Sequence, residues 1–320
     1  MPTEANTRAA HTSISVYAPA TVANLGVGFD ILGLALDAPG DRVTVECADR
    51  PGVELVAITG DGGQLTCEPA RNTACVAARE TLQAIRPGAG IRLWLHKGLP
   101  LASRLGSSAA SAVAAAVAVN EFFGGPLGPF EVLRACVEAE AAVSGRHADN
   151  VAPALLGGIV LVTGWDLDAI YRLPVPDDLY LALVTPAVAV PTLAARAVLP
   201  ENVPLRTMVH HTGSVAALIH ALHTGDLALL ARAMRQDTVV SPRRAALIPG
   251  LDEAHAAAYE AGALASVISG AGPTLCGLCD TPETAQAVTQ AYKEVYNRLG
   301  IGCVTRVARP NLTGATICTD

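Results

Sequence analysis

The sequence predicts a two-lobed protein of the α+β class, on three observations. A chain of 320 residues is long for one hydrophobic core, and chains of that length tend to divide. Hydrophobic residues make up 51% and charged residues 16%, which provides core for two lobes and leaves out disorder as a general description. Strand and helix patterns alternate irregularly along the chain, and a more polar, proline-bearing stretch at 166–178 separates two such series. The lobes are therefore expected at 1–166 and 167–320.

The elements follow in order. The first dozen residues read as a polar tail without the apolar region of a signal peptide. Residues 13–18 alternate as a strand, and a glycine-bearing loop is expected at 19–30. Strands are expected at 31–38 and 41–48 around a turn at Pro39-Gly40. A turn at 60–63 precedes a helix at 72–85, which begins at an Asn-Thr pair suited to capping. A strand at 91–96 runs into a small-residue loop and a helix at 108–123; another helix covers 130–144. In the second lobe, strands near 179–185, 266–269 and 275–279 alternate with helices near 192–198, 213–235, 252–261 and 282–299.

Composition excludes several classes. The net charge of −7 argues against a nucleic-acid or anionic-membrane surface. The longest apolar run, 112–119, falls short of the roughly 20 residues that span a bilayer. Eight cysteines are scattered, with one close pair, Cys276-Gly277-Leu278-Cys279, in a strand pattern. Positions three apart on a strand face opposite sides, so the pair reads as reduced strand cysteines of a cytoplasmic chain rather than a redox or zinc site.

The most informative segment is Pro100-Leu101-Ala102-Ser103-Arg104-Leu105-Gly106-Ser107-Ser108-Ala109. A strand feeds a loop of small residues, and the loop feeds a helix. Free amides and the dipole at a helix start hold phosphate, and small side chains let the oxygens approach. Ser107 and Ser108 can cap the helix, and one hydroxyl can also ligate Mg²⁺. By spacing alone, the segment equally suits an ordinary serine-capped, alanine-rich helix; it is neither a Walker A loop nor GxGxxG.

The segment resembles the phosphate loop of the GHMP kinases, P-x-x-x-G-L-G-S-S-A. Two further segments are similar to that family's motifs. They are Pro19-Ala20-Thr21-Val22-Ala23-Asn24-Leu25-Gly26-Val27-Gly28-Phe29-Asp30 and Ser269-Gly270-Ala271-Gly272-Pro273-Thr274. His147-Ala148-Asp149-Asn150-Val151-Ala152-Pro153-Ala154-Leu155 narrows the resemblance to the members that phosphorylate homoserine. The resemblance implies an S5-like first lobe, a ferredoxin-like second lobe, ATP and Mg²⁺ as cofactors, homoserine as the acceptor in threonine biosynthesis, and a homodimer. One position departs from it: Arg104 stands where the family has glycine. If φ is positive there, arginine costs roughly 1 kcal/mol or more. Its bulk would then obstruct phosphate, or its guanidinium would itself reach one. Hence two alternatives to a homoserine-phosphorylating enzyme: a GHMP kinase for another alcohol, or a binding protein of that fold with impaired transfer.

Phosphoryl transfer calls for a carboxylate to hold Mg²⁺. In the helix at 130–144, Phe130, Leu133, Val137 and Ala141 form the apolar stripe. Glu140 flanks that stripe, while Glu131 and Glu138 lie off it, so Glu140 is the candidate metal ligand with Ser108; the resemblance places the family's ligand in the same helix. It further implies that Asn24, Asp30, His147, Arg196 and Arg244 bind the amino acid. Asp30 would meet the ammonium, and the two arginines the carboxylate. Arg243 stands beside them where tyrosine is usual. Asn72 matches an asparagine near the adenine, with Lys97 nearby, and Asn150 and Thr192 fall near the reacting groups. In-line transfer is expected, with no catalytic base assigned.

Overall fold

The computed structural model describes residues 12–99, 103–142, 145–164 and 170–319. Pro100, Leu101 and Ala102 of the phosphate loop, and the expected boundary at 166, lie outside the described residues.

Alternation builds the first sheet. In Ser13–Ala23 (β1), Ile14, Val16 and Ala18 are buried on one face. β1 pairs antiparallel with Leu32–Cys47 (β2), and β2 with Gly90–His96 (β4); β4 pairs parallel with Gly52–Thr59 (β3). Ile159–Val162 (β5) pairs with β2, Ile170–Leu173 (β6) with β5, and Thr316–Ile317 (β11) with β1. The first sheet thus draws on residues on both sides of position 166.

Two expectations need correction here. Residues 19–23 continue β1 instead of opening the loop, and Pro39-Gly40 does not reverse the chain: β2 is one strand of 16 residues. The reason is tertiary. β1 keeps pairing, with Pro19 opposite Gly40, and a register shift before Thr21 absorbs the irregularity.

Four helices cover the sheet: Thr73–Ile85 (α1), Ser107–Phe122 (α2), Pro129–Ala141 (α3) and Val151–Leu156 (α4). α2 is central, packed on β1 and β2 and flanked by the other three. It is apolar nearly all round, as a fully enclosed helix is. Its run of alanines, Ala109 to Ala118, is almost entirely buried, and small side chains there let the neighbouring helices approach closely.

The second lobe is a four-stranded antiparallel sheet in the order Cys303–Ala308 (β10), Tyr180–Pro186 (β7), Leu275–Cys279 (β9), Ala265–Ile268 (β8). Its helices are Thr192–Ala197 (α5), Leu205–Thr224 (α6), Leu227–Met234 (α7), Val240–Arg244 (α8), Leu251–Glu260 (α9) and Pro282–Arg298 (α10). The chain order from β7 to β10 is the β-α-β-β-α-β of a ferredoxin-like lobe. Tyr292, Tyr296 and Val288 of α10 anchor its core. Where one helix was expected at 213–235 there are two. Gly225, at φ 70, ends α6, and the Asp226 carboxylate caps α7 by accepting from the Leu229 amide at 2.8 Å. Cys276 and Cys279 are both buried in β9, and burial pushes the Cys279 thiol up to about 12.

Candidate active site

A cavity of about 350 Å³ lies where the two lobes meet, and the start of α2 opens into it. Gly106 precedes the helix at φ 66, and a Cβ there would stand 2.0 Å from the Thr21 hydroxyl oxygen, so only glycine fits. Ala110 donates to the Gly106 carbonyl at 2.8 Å. The amides of Ser107, Ser108 and Ala109 therefore precede the helix's own bonding. The serines do not cap: Gly106 holds the cap position, and no side chain bonds there. Their hydroxyls are left for the cavity, which both residues line.

Carbonyls fasten this loop from behind. Leu105 accepts from the Thr21 amide at 3.0 Å, Arg104 from the Ser269 hydroxyl at 3.1 Å, and Ser103 from the Thr274 hydroxyl. The three segments singled out in the sequence thus meet in one place. Arg104 does adopt positive φ, 59°. Its side chain crosses to the second lobe, donating to the Thr192 hydroxyl at 2.7 Å and to the Val190 carbonyl.

Beneath the loop, Lys97, expected near the adenine, sits in a buried group whose partners Asp41 and Ser111 sequence reasoning missed. The Lys97 ammonium donates to Asp41, to the Ser111 hydroxyl at 2.8 Å and to the Ser107 carbonyl at 3.0 Å. Asp41 also accepts from Ser111 at 2.6 Å and from the Gly98 and Leu99 amides at 3.1 and 3.2 Å. An ammonium has three donors, and all are in use. Lys97 lines the cavity, yet its hydrogen bonds brace the loop. Burial lowers its pKa, and Asp41 opposes the shift. Asn72 caps α1, its side-chain oxygen accepting from the Ala74 and Cys75 amides at 3.1 and 3.4 Å, and it also lines the cavity.

Glu140, in the last turn of α3, is 6% exposed and faces the same cavity as Ser108. Glu131 turns back to the Gly128 amide at 2.8 Å, and Glu138 pairs with Arg146. Among the described residues no three His, Cys, Asp or Glu side chains cluster as a metal cage. One buried carboxylate in a cavity that a serine also lines suits Mg²⁺, which is held by one or two carboxylates together with water and phosphate oxygens.

The other end of the cavity is made of side chains. One Arg196 nitrogen donates to both oxygens of Asp30 at 2.9 Å. The His147 ring nitrogen lies 3.4 Å from that guanidinium and 3.9 Å from the carboxylate. Burial, followed by the opposed effects of Asp30 and Arg196, keeps the His147 pKa below its ordinary value. Arg244 is buried, donating to the Ala195 carbonyl at 3.2 Å and the Gly270 carbonyl at 2.7 Å. Asn24 donates to the same Gly270 carbonyl at 3.0 Å and accepts from the Asp30 amide at 3.1 Å.

Two further residues escaped the sequence reading. The Phe29 ring lies under both guanidiniums, 5.4 Å from Arg196 and 5.2 Å from Arg244, a cation–π arrangement that holds the arginines side by side. Asp149 is buried, and burial, with Asp30 and Glu140 adding and Arg196 opposing, pushes its carboxyl up to about 7. Neighbouring Asn150 accepts from the Thr21 hydroxyl at 2.7 Å.

Comparison with known proteins agrees. The GHMP kinases N terminal domain model matches residues 72–158, and the GHMP kinases C terminal model 218–298. The chain is 45% identical to a homoserine kinase of Arabidopsis thaliana over 313 residues, 95% of this chain and 84% of that one. It is 41% identical to a homoserine kinase of Chlorobium phaeobacteroides, over 90% of this chain and 93% of that one. A crystal structure of homoserine kinase from Cytophaga hutchinsonii matches with a TM-score of 0.93 at 41% identity, covering 97% and 99% of the two chains. The mevalonate kinase of L. major, with a TM-score of 0.74 and 16% identity over 95% and 98%, shares the fold. Relatives this similar over nearly the whole length show that the chain belongs to the homoserine kinases of the GHMP kinase family.

Proposed function

We propose that the chain transfers the γ-phosphoryl of ATP to the side-chain hydroxyl of L-homoserine, giving O-phospho-L-homoserine for threonine synthesis. The observation that carries this reading is a helix-start amide cradle and an Asp30–Arg196 ion pair facing one cavity. An α-amino acid is a zwitterion. Its ammonium suits Asp30 and its carboxylate suits Arg196, with Arg244 beside it. Asp30 and Arg196 are 30% and 34% exposed, and pairs that open to solvent contribute only about 0–1 kcal/mol. A zwitterion entering between them replaces one ion pair by two at small cost. A sugar offers neither charge, and mevalonate offers no ammonium.

At the other end, the amides of residues 107–109 take the phosphates, and Asn72 lies at the adenine side. Ser108 and Glu140 would hold Mg²⁺, which would supply neutralisation of charge on the phosphate oxygens. Asn150, oriented by Thr21, and Thr192 flank the place where the acceptor hydroxyl meets the phosphoryl. Alignment alone is worth roughly 7–11 kcal/mol, so the reading needs no dedicated base. Burial favours the neutral form of the Asp149 carboxyl, which limits the negative charge that an incoming polyanion meets. A reducing, cytoplasmic setting follows from the eight scattered cysteines, and a homodimer from family resemblance alone.

The test is ADP release with homoserine, serine, threonine and shikimate supplied in turn. Homoserine should be the acceptor that supports turnover. Release with shikimate and none with homoserine would overturn the assignment.

A further inference from the structure

We propose that Arg104 is a nucleotide-binding residue whose guanidinium, aimed across the cleft by Thr192 and Val190, meets the terminal phosphate held at the start of α2. The inference rests on the kinase reading above and adds to it a cationic side chain at a position where the family has glycine.

Arg104 does not build the loop it sits in. The carbonyls of Ser103, Arg104 and Leu105 are each fastened by a donor from elsewhere in the chain. The backbone course is thus imposed by neighbours, and with it the left-handed φ of 59°. A residue strained by its surroundings, and not needed to maintain them, is a place to look for function.

The side chain runs along the cavity to the opposite lobe instead of out to solvent. Its two terminal nitrogens meet only neutral acceptors, the Thr192 hydroxyl and the Val190 carbonyl. Its Nε is buried and, among the described residues, has no hydrogen-bond partner. Among the described residues, no carboxylate lies within ion-pair distance of it. Loss of hydration pulls its pKa down with no compensating anion nearby. A half-buried cation without a counter-charge is costly. Here it borders a cradle suited to a polyanion, which would supply that charge.

The donor count agrees. A guanidinium carries five N–H groups; two are engaged and the Nε is buried, which leaves one on each terminal nitrogen for oxygens of a phosphate. Lys97, the cation beneath the loop, is committed to Asp41 and cannot take this part.

The experiment compares the natural chain with Arg104→Gly, Arg104→Asn and Arg104→Lys. Glycine and asparagine both tolerate the left-handed region, so the denaturation midpoint of the unliganded protein should hold or rise in the first two. Calorimetry with Mg²⁺ should show a non-hydrolysable ATP analogue binding roughly 10- to 100-fold more weakly to them. ADP, lacking the terminal phosphate, should lose much less. Turnover should fall with the analogue's affinity, and lysine should recover part of both. The proposal is overturned if Arg104→Gly binds the analogue as tightly as the natural chain or more tightly, since the arginine is then a strap or an obstruction. It is equally overturned if ADP and the analogue lose affinity alike. A natural chain that releases no ADP with any acceptor, yet binds the analogue through Arg104, would sink the kinase reading and leave this one standing.

Discussion

The two ends of the cleft are built from different materials. The end proposed for phosphate is made of backbone: three amides at the start of α2, and three carbonyls behind them that are fastened to β1 and to residues 269 and 274. The end proposed for the acceptor is made of side chains brought from the loop after β1, from His147, from α5 and from α8. Strain marks the walls of both: among the described residues, those other than glycine with positive φ are Asn24, Leu25, Asp30 and Arg104, and all but Leu25 line the cavity. A backbone site tolerates an unusual side chain, as Arg104 shows, but depends on whatever holds the loop's shape. A side-chain site depends on each charge separately. The two ends should therefore fail differently under substitution.

The largest effect is expected where the backbone site is braced. Lys97 and Asp41 have side chains 2% and 0% exposed, and removing one member of such a pair leaves a buried charge uncompensated. Asp41→Asn should lower unfolding stability by about 3–5 kcal/mol, read as a shift of the urea midpoint. The double variant Asp41→Asn, Lys97→Met should recover much of the loss. A single variant as stable as the natural chain would mean that the loop is not held from below.

Next comes Glu140→Gln. It keeps the shape of the phosphate end and removes its carboxylate, so turnover should fall about 100- to 1,000-fold while the homoserine KM stays nearly constant. An unchanged kcat would remove Glu140 from the metal site. Arg196→Met addresses the other end. It should raise the homoserine KM roughly 10- to 100-fold and leave ATP-analogue affinity alone. Loss of affinity for both ligands would show that the two ends are not independent.

The same contrast explains how much was legible in the sequence. The phosphate end is one continuous segment, and helix starts follow local rules, so α2 begins within one residue of its expected position. Helix α1 likewise begins after the expected Asn72. The break at Gly225-Asp226 was visible as a glycine followed by a capping aspartate, and the apolar pattern across it concealed the signal. Pro39-Gly40 was not readable locally, because the pairing of β1 overrides the turn. The Asp41–Lys97–Ser111 group joins residues 56 and 14 positions apart. Phe29 matters only through two arginines of the other lobe. Neither leaves a mark at its own position.

The smallest effect, and the finest test, is at Asn72, where both kinds of construction share one side chain. Its oxygen caps α1, a backbone duty; its amide nitrogen reaches the Thr66 carbonyl at 3.5 Å and keeps a second N–H, and the residue lines the cavity at the end proposed for adenine, where a donor would recognise a base. Asn72→Ala loses both and should cost about 1 kcal/mol of stability together with ATP affinity. Asn72→Asp keeps the capping oxygen, and a negative charge at a helix start is favourable, so its urea midpoint should stay within a few tenths of a kcal/mol of the natural chain. What it loses is the donor. If Asn72→Asp weakens ATP binding several-fold at unchanged stability, the residue serves the nucleotide directly. If it binds ATP as the natural chain does, Asn72 is a helix cap that happens to face the site, and the adenine end joins the phosphate end as a surface made of backbone.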